Sequence, residues 1–187
     1  DKFIIWEDEE ENTHLLETMV KAVKANVHAW DILSFSEYQT EVHWNQEGIK
    51  LKTRTDFDCE PLKVIIDVKT CASADPPDVA RSAAKYNYPV QAIMQMNGMI
   101  DKGWDGVNAY FWLFVEKSMA QEAVLYEFQP DDWSLAENIY LDALRNKVPG
   151  ALKALESGDI TDAPGYMSRS QNEHGTLPLE LPLYYGR

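Results

Sequence analysis

The segment Val64-Ile65-Ile66-Asp67-Val68-Lys69-Thr70 constrains the fold most, because an apolar, β-branched run carries an acid and a base two residues apart. β-Branched side chains suit a pleated strand. A continuous apolar run, unlike an alternating one, marks a strand covered on both faces, central in a sheet with helices on either side. Side chains alternate along a strand, so Ile65, Asp67 and Lys69 leave by one face and Val64, Ile66 and Val68 by the other. An Asp-x-Lys triplet by itself is common on solvated sheet faces. Here it sits in a strand where a charged pair needs a reason.

A second acid supplies one. Gly48 to about Cys59 is rich in strand formers, and Glu60-Pro61-Leu62 reads as the turn that follows it. Read as one strand, this segment puts Lys50, Lys52, Arg54 and Asp56 on a single side. A turn centred on Pro61-Leu62 sets an antiparallel register with Asp56 opposite Asp67, their Cβ atoms roughly 4.5–5.5 Å apart. Facing carboxylates repel unless a cation neutralises them. Mg²⁺, with Mn²⁺ as a substitute, would do so, since it takes carboxylate oxygens and keeps waters for a phosphate and a nucleophile. Lys69 would then hold or polarise an attacking water while the metal stabilises charge on a scissile phosphate. Lys50, Lys52 and Arg54 would form a phosphate track beside it.

The rest of the chain supplies the frame. Leu15, Leu16, Met19, Val20, Val23 and Val27 recur at helical spacing from Asn12 to about Trp30, with Asn12 or Thr13 as N-cap. Glu37–Trp44 reads as a strand, and Asp78–Asp101 as helix interrupted at Pro89, where a second helix starts. Val107–Glu116 and Glu122–Phe128 read as a hairpin and Asp131–Lys147 as a closing helix. The tail from Gly158, with Pro164, Pro178 and Pro182, reads as irregular. The order α-β-β-β-α-α-β-β-α predicts an α/β fold with a mixed central sheet of about five strands flanked by helices. No linker or repeat divides residues 1–187, so one domain is expected.

Composition narrows the classes. No apolar run approaches the roughly 20 residues of a membrane span, and the start is acidic where a signal peptide is basic, so a cytoplasmic protein without membrane association is expected. Two cysteines are too few for a disulfide scaffold or a four-cysteine metal or iron–sulfur site. A net charge of −14 opposes a nucleic-acid partner unless cations are concentrated locally. The chain begins with Asp rather than Met, as expected of the C-terminal part of a longer protein or of a processed chain.

At these residues the sequence resembles a family. Asp56, a ten-residue gap and Asp67-Val68-Lys69-Thr70 are similar to the motif of PD-(D/E)XK nucleases, with Thr55 where the family's Pro stands. Ile65 to Thr70 followed by Tyr88-Pro89-Val90-Gln91 looks more closely like the RecE-type exonucleases, whose next helix carries Tyr-x-Val-Gln. The resemblance spans most of the chain from about Leu15. It implies a restriction-endonuclease-like core, metal ligation by Asp56, Asp67 and the Val68 carbonyl, and a catalytic role for Lys69. It also implies active-site or DNA contacts from Gln91, with Thr70 and Tyr88 beside it. The substrate implied is linear double-stranded DNA, degraded 5′→3′ in phage or bacterial recombination; separately, the acidic exterior suits a protein partner such as a basic single-strand annealing protein, and a homo-oligomer is expected. RecE-type enzymes carry a further metal-ligand His upstream; His14 and His28 stand in no matching context and are read as surface or packing residues.

Two readings from different classes stay open. One is the exonuclease, with a structure-selective endonuclease as its neighbour. The other is a non-catalytic DNA-end or partner-binding module that keeps the fold, which the acidic exterior favours and the intact Asp56, Asp67 and Lys69 set disfavours. Tyr86, Tyr88, Tyr110 and Trp112 suit either base stacking or a core, and Cys71 is read as a packing residue.

Overall fold

The computed structural model describes residues 9–117 and 122–158. They fall into two compact units divided between Tyr140 and Leu141.

Helix α1 (Glu9–Ala25) takes in Asn12 and Thr13, so the predicted cap positions lie inside it. The predicted single helix to Trp30 is two, because Asn26 breaks it. Its side-chain oxygen accepts from the Ala29 N–H (3.1 Å) as N-cap of α2 (Val27–Ser34), and its amide donates to the Ala123 carbonyl (3.0 Å). The apolar period runs through the break, so the pattern alone conceals it.

The next two predicted strands are also each divided in two: β1 (Glu37–Tyr38) and β2 (Glu41–Gln46), then β3 (Ile49–Arg54) and β4 (Phe57–Cys59). β2 and β3 pair antiparallel as a separate ribbon from Gln46↔Ile49 to Glu41↔Arg54. They are joined by a two-residue turn whose Glu47 (φ 53°) and Gly48 (φ 81°) both lie in the left-handed region. At the other end of the ribbon, Thr55 N–H donates to the Thr40 carbonyl (3.0 Å) and Gln39 N–H to the Asp56 carbonyl (2.9 Å). There the long hairpin changes sheets, and β1 and β4 continue into the main sheet.

That sheet has five strands in the order β1-β4-β5-β6-β7, with β5 (Val64–Cys71) at its centre. β4 pairs antiparallel with β5, and β6 (Ala109–Glu116) pairs with it in parallel. β7 (Ala123–Glu127) closes the predicted hairpin. The parallel pair requires a crossover. Helices α3 (Pro76–Lys85) and α4 (Tyr88–Asp101) supply it, and α4 opens with Pro89 in its first two positions as the sequence predicts.

One face of the sheet buries Val64, Ile66, Leu113 and Val115 with Ala29 and Cys59, packed by Met19, Val23 and Ile32 of α1 and α2. The other face carries Ile65, Asp67, Tyr110, Trp112 and Phe114 and is covered by α4, whose Ala92, Ile93, Met96 and Met99 are buried. Full burial of an aliphatic side chain such as Ile65 contributes about 1.5–3 kcal/mol. This second face carries polar groups into the interior.

Helix α5 (Pro130–Asp142) follows the sheet. The second unit holds a π-helical turn (Ala143–Lys147) and helix α6 (Val148–Ser157). Pro149 lacks the amide donor that a continuous α-helix would need there, so the predicted closing helix is interrupted where the π-turn lies. The tail predicted to be irregular lies outside the described residues. Among the described residues no helix is long and apolar enough to cross a membrane.

Candidate active site

β5 projects Asp67 and Lys69 from the face that α4 covers. Asp67 is 1% exposed. Its Oδ1 accepts from Gln91 Nε2 (2.8 Å), and Lys69 Nζ lies 2.6 Å from its Oδ2 while donating to Gln91 Oε1 (3.0 Å). Asp67, Lys69 and Gln91 therefore close a ring of contacts between the central strand and the first turns of α4. The ammonium also stands 4.7 Å from the centroid of the Tyr88 ring, within cation–π range. Asp67 Oδ2 is buried, and apart from the ion pair no well-directed hydrogen bond reaches it.

Asp56 enters from the sheet change. β4 begins one residue after it, and the register Phe57↔Ile66 extends to place Asp56 opposite Asp67, the pairing that the turn at Pro61-Leu62 predicts. Its Oδ2 accepts from the Val68 N–H (2.9 Å), taking the place of a backbone partner beyond the end of β4. In a strand the N–H and C=O of one residue point to the same neighbour. The Val68 carbonyl therefore points to the same edge as Asp56.

Burial is the main cause that raises the Asp67 pKa above its ordinary value. The Lys69 ammonium acts the other way, the Asp56 charge adds to the rise, and the Gln95 amide opposes it. A buried acid beside a second acid, with one oxygen lacking a directed donor, is an arrangement that a cation relieves. The donors on offer are all oxygen: Asp56, Asp67 and the Val68 carbonyl. Such a set suits Mg²⁺ or Mn²⁺ better than a softer metal. Among the described residues no group of three His, Cys, Asp or Glu side chains adds to it. His14 and His28 are exposed on α1 and α2.

The basic stripe is placed differently from expectation. Lys50, Lys52 and Arg54 are exposed at alternate positions, as the period predicts, but they lie on β3 of the separate ribbon. They do not share a strand with Asp56. The ribbon's other face, with Trp44 and Thr53, packs on α4 at Gly98, so the stripe points away from the helix that carries Gln91. Lys52 is also ion-paired with Glu41 (2.6 Å), which with His43 (2.7 Å) holds the Glu41 carboxyl down at about 2. Thr70 and Tyr88, in contrast, line a cleft directly beyond Lys69.

Sequence reasoning missed Gln95 and the use made of Tyr110. Gln95 is 2% exposed, and its Nε2 donates to the Arg54 carbonyl (3.0 Å) while its Oε1 accepts from the Tyr110 hydroxyl (2.7 Å). The amide thus ties the ribbon's last residue to the main sheet behind Asp67. A signal was available: Gln91 and Gln95 are four apart and share a helix face, in a segment otherwise rich in apolar residues.

Over residues 8–152 the sequence matches the family described as a PDDEXK-like domain of unknown function (DUF3799). Among solved structures, a candidate exonuclease from Eubacterium rectale aligns with a TM-score of 0.66 at 14% identity, over 94% of this chain and 65% of that one. A phage-related exonuclease from Haemophilus somnus 129PT aligns with a TM-score of 0.49 at 13% identity, over 82% of this chain and 77% of that one. No curated protein sequence matches the chain. At such identities the Eubacterium likeness concerns the fold alone, and this chain spans about 65% of that protein's length. The family match, in contrast, covers most of the chain: the chain belongs to the family described as a PDDEXK-like domain of unknown function, and its mixed sheet flanked by helices agrees with the fold of the Eubacterium protein.

Proposed function

We propose that the chain is a divalent-metal-dependent deoxyribonuclease, acting as an exonuclease on the ends of linear double-stranded DNA. The observation that carries this reading is the environment of Asp67: buried, opposite Asp56, bonded to Gln91 and paired with Lys69, with one oxygen lacking a directed donor. Asp56, Asp67 and the Val68 carbonyl would hold the ion. When bound, Mg²⁺ or Mn²⁺ supplies charge stabilisation at a phosphoryl oxygen and lowers the pKa of water. Lys69, held beside Asp67, would orient the attacking water and steady negative charge on the phosphate. Gln91 fixes the Lys69 ammonium and the Asp67 carboxylate relative to each other, without adding charge.

The resemblance to RecE-type exonucleases extends the proposal to 5′→3′ polarity and a role in recombination, and we add a homo-oligomer and, from the acidic composition, a basic single-strand annealing protein as partner. It also extends it to a single nuclease domain within a longer protein. The net charge of −14 favours a second reading, a non-catalytic DNA-end or partner-binding module on the same fold. Calorimetric titration with Mg²⁺ and Mn²⁺, paired with cleavage of end-labelled linear duplex, separates the two. The nuclease reading expects metal affinity and cleavage that are both lost in Asp67→Ala. Metal affinity indifferent to that change would overturn it, and metal binding without cleavage would favour the second reading.

A further inference from the structure

Beyond Lys69 the carboxyl end of β5 opens into a cleft of about 560 Å³, bounded on its far side by α3 and floored by Phe114. Its lining is unusual for a chain with 31 acidic and 17 basic residues. Arg81 and Lys85 lie four apart on one face of α3, so their Cβ atoms stand roughly 5–6 Å apart. Arg81 is oriented by an ion pair with Asp78, one turn earlier in the same cleft. Lys85 has no ion-pair partner among the described residues; its ammonium stands 5.1 Å from the centroid of the Tyr86 ring.

The aromatic wall is equally specific. Tyr86 and Tyr88 flank Asn87, whose left-handed backbone (φ 54°, ψ 40°) separates α3 from α4. Their rings are stacked, with centroids 5.8 Å apart and planes inclined by 24°. Tyr88 is the inner ring: it touches Phe114 and carries Lys69 on its face. Tyr86 is the outer one and stays 58% exposed, a large ring that folding has not buried. From Lys69 outward the order is therefore catalytic ammonium, inner ring, outer ring and Lys85.

We propose that this cleft receives the unpaired nucleotides next to the scissile phosphate, with a base stacked on the outer Tyr86 ring and the neighbouring phosphates held by Lys85 and Arg81. Every base has a π-face, so such a wall binds without regard to sequence. In a duplex those faces are covered by neighbouring bases, so the ring selects a strand already separated from its complement. The volume lies within the roughly 300–1,000 Å³ of small-ligand sites, enough for a nucleotide or two but not for a double helix. The inference rests on the nuclease reading for its position beside the reacting phosphate, while the binding itself needs no metal.

The test uses fluorescence polarisation of a labelled eight-residue oligothymidylate with metal omitted, on the full chain and on Tyr86→Ala, Tyr86→Trp and Lys85→Gln. Loss of one stacked base corresponds to about 5- to 150-fold weaker binding. We expect that loss in Tyr86→Ala and wild-type-like affinity in Tyr86→Trp. In Lys85→Gln the slope of log affinity against log salt should fall by about 0.7, one single-strand phosphate contact. Blunt duplex of the same length should be indifferent to Tyr86. A wild-type chain that fails to bind the oligonucleotide, or a Tyr86→Ala chain within twofold of wild type, overturns the proposal. Cleavage of linear duplex measured alongside keeps the two readings apart. Cleavage with no Tyr86 effect on affinity sinks the cleft and spares the nuclease; Tyr86-dependent binding without cleavage does the reverse.

Discussion

Replacing Gln95 by Leu keeps the volume of the side chain but removes both of its hydrogen bonds. The Tyr110 hydroxyl, on a residue 0% exposed, then has no acceptor, and the Arg54 carbonyl loses its side-chain donor. A buried polar group left unsatisfied costs about 1–3 kcal/mol, and the second lost bond adds about 0.5–1.5 kcal/mol. Greater apolar burial by Leu offsets part of this, so Gln95→Leu should destabilise the fold by about 2–3 kcal/mol. Tyr110→Phe alone strands the Gln95 oxygen instead and should cost about 1–2 kcal/mol. In the double variant neither group remains to be stranded, since replacing both partners with apolar ones is close to neutral. Only the Arg54 bond, about 0.5–1.5 kcal/mol, is then lost, so the double variant should be about 2–4 kcal/mol more stable than the sum of the single effects predicts. Urea unfolding followed by tryptophan fluorescence measures this as a shift in midpoint at constant slope. Additivity within about 0.5 kcal/mol, the range for independent sites, would refute the argument that the amide serves Tyr110.

Gly98→Ala would put a methyl group 2.8 Å from Thr53 Cγ2 and 3.3 Å from Trp44 Cζ3. Overpacking costs about 1–3 kcal/mol and helix propensity returns just under 1 kcal/mol. A net loss of about 1–2 kcal/mol, recovered by Thr53→Ser, is expected in the same unfolding assay. Asp67 gives a pH signature: its folded pKa is raised, so the folded state keeps a proton that the unfolded state has released. The metal-free protein should lose stability as pH rises from about the ordinary value of 3.8 through the folded pKa, relative to Asp67→Asn. A difference in Tm between the two that does not change with pH would contradict it. Gln91→Ala should lower turnover on linear duplex at least tenfold while shifting unfolding by only about 0.5–1.5 kcal/mol, the worth of a hydrogen bond. Wild-type turnover in that variant would detach Gln91 from the chemistry.

What the sequence makes legible is local. The Asp56-to-Asp67 register follows from a short turn and from counting, because antiparallel partners sum to a constant. The start of α4 follows from Pro89, which is tolerated only at a helix's beginning. The division of strands at Thr40 and Thr55 was not legible, since alternation continues through it and only the bonds from Gln39 N–H to Asp56 and from Thr55 N–H to Thr40 across the hairpin mark the change of sheet. The same error displaced the basic stripe: its exposure was readable from the period, its sheet was not. Gln95 escaped because its partners, Arg54 and Tyr110, lie 41 and 15 residues away. Asn26 escaped because a cap inside an apolar period looks like any other polar position.

The parallel pairing of β5 with β6 also sets a timetable. Val64 pairs with Ala109 and Asp67 with Trp112, a constant interval of 45 residues. During synthesis at about 5–20 residues per second, β5 waits roughly 2–9 s for its neighbour. Through that interval the hairpin of β4 and β5 presents an apolar strand with one open edge, the kind of surface on which chains aggregate. Asp67 and Lys69 interrupt the apolar run at its middle, and charges so placed act as gatekeepers against self-association. The two residues at the centre of the proposed site thus also break up the apolar edge of the unfinished chain.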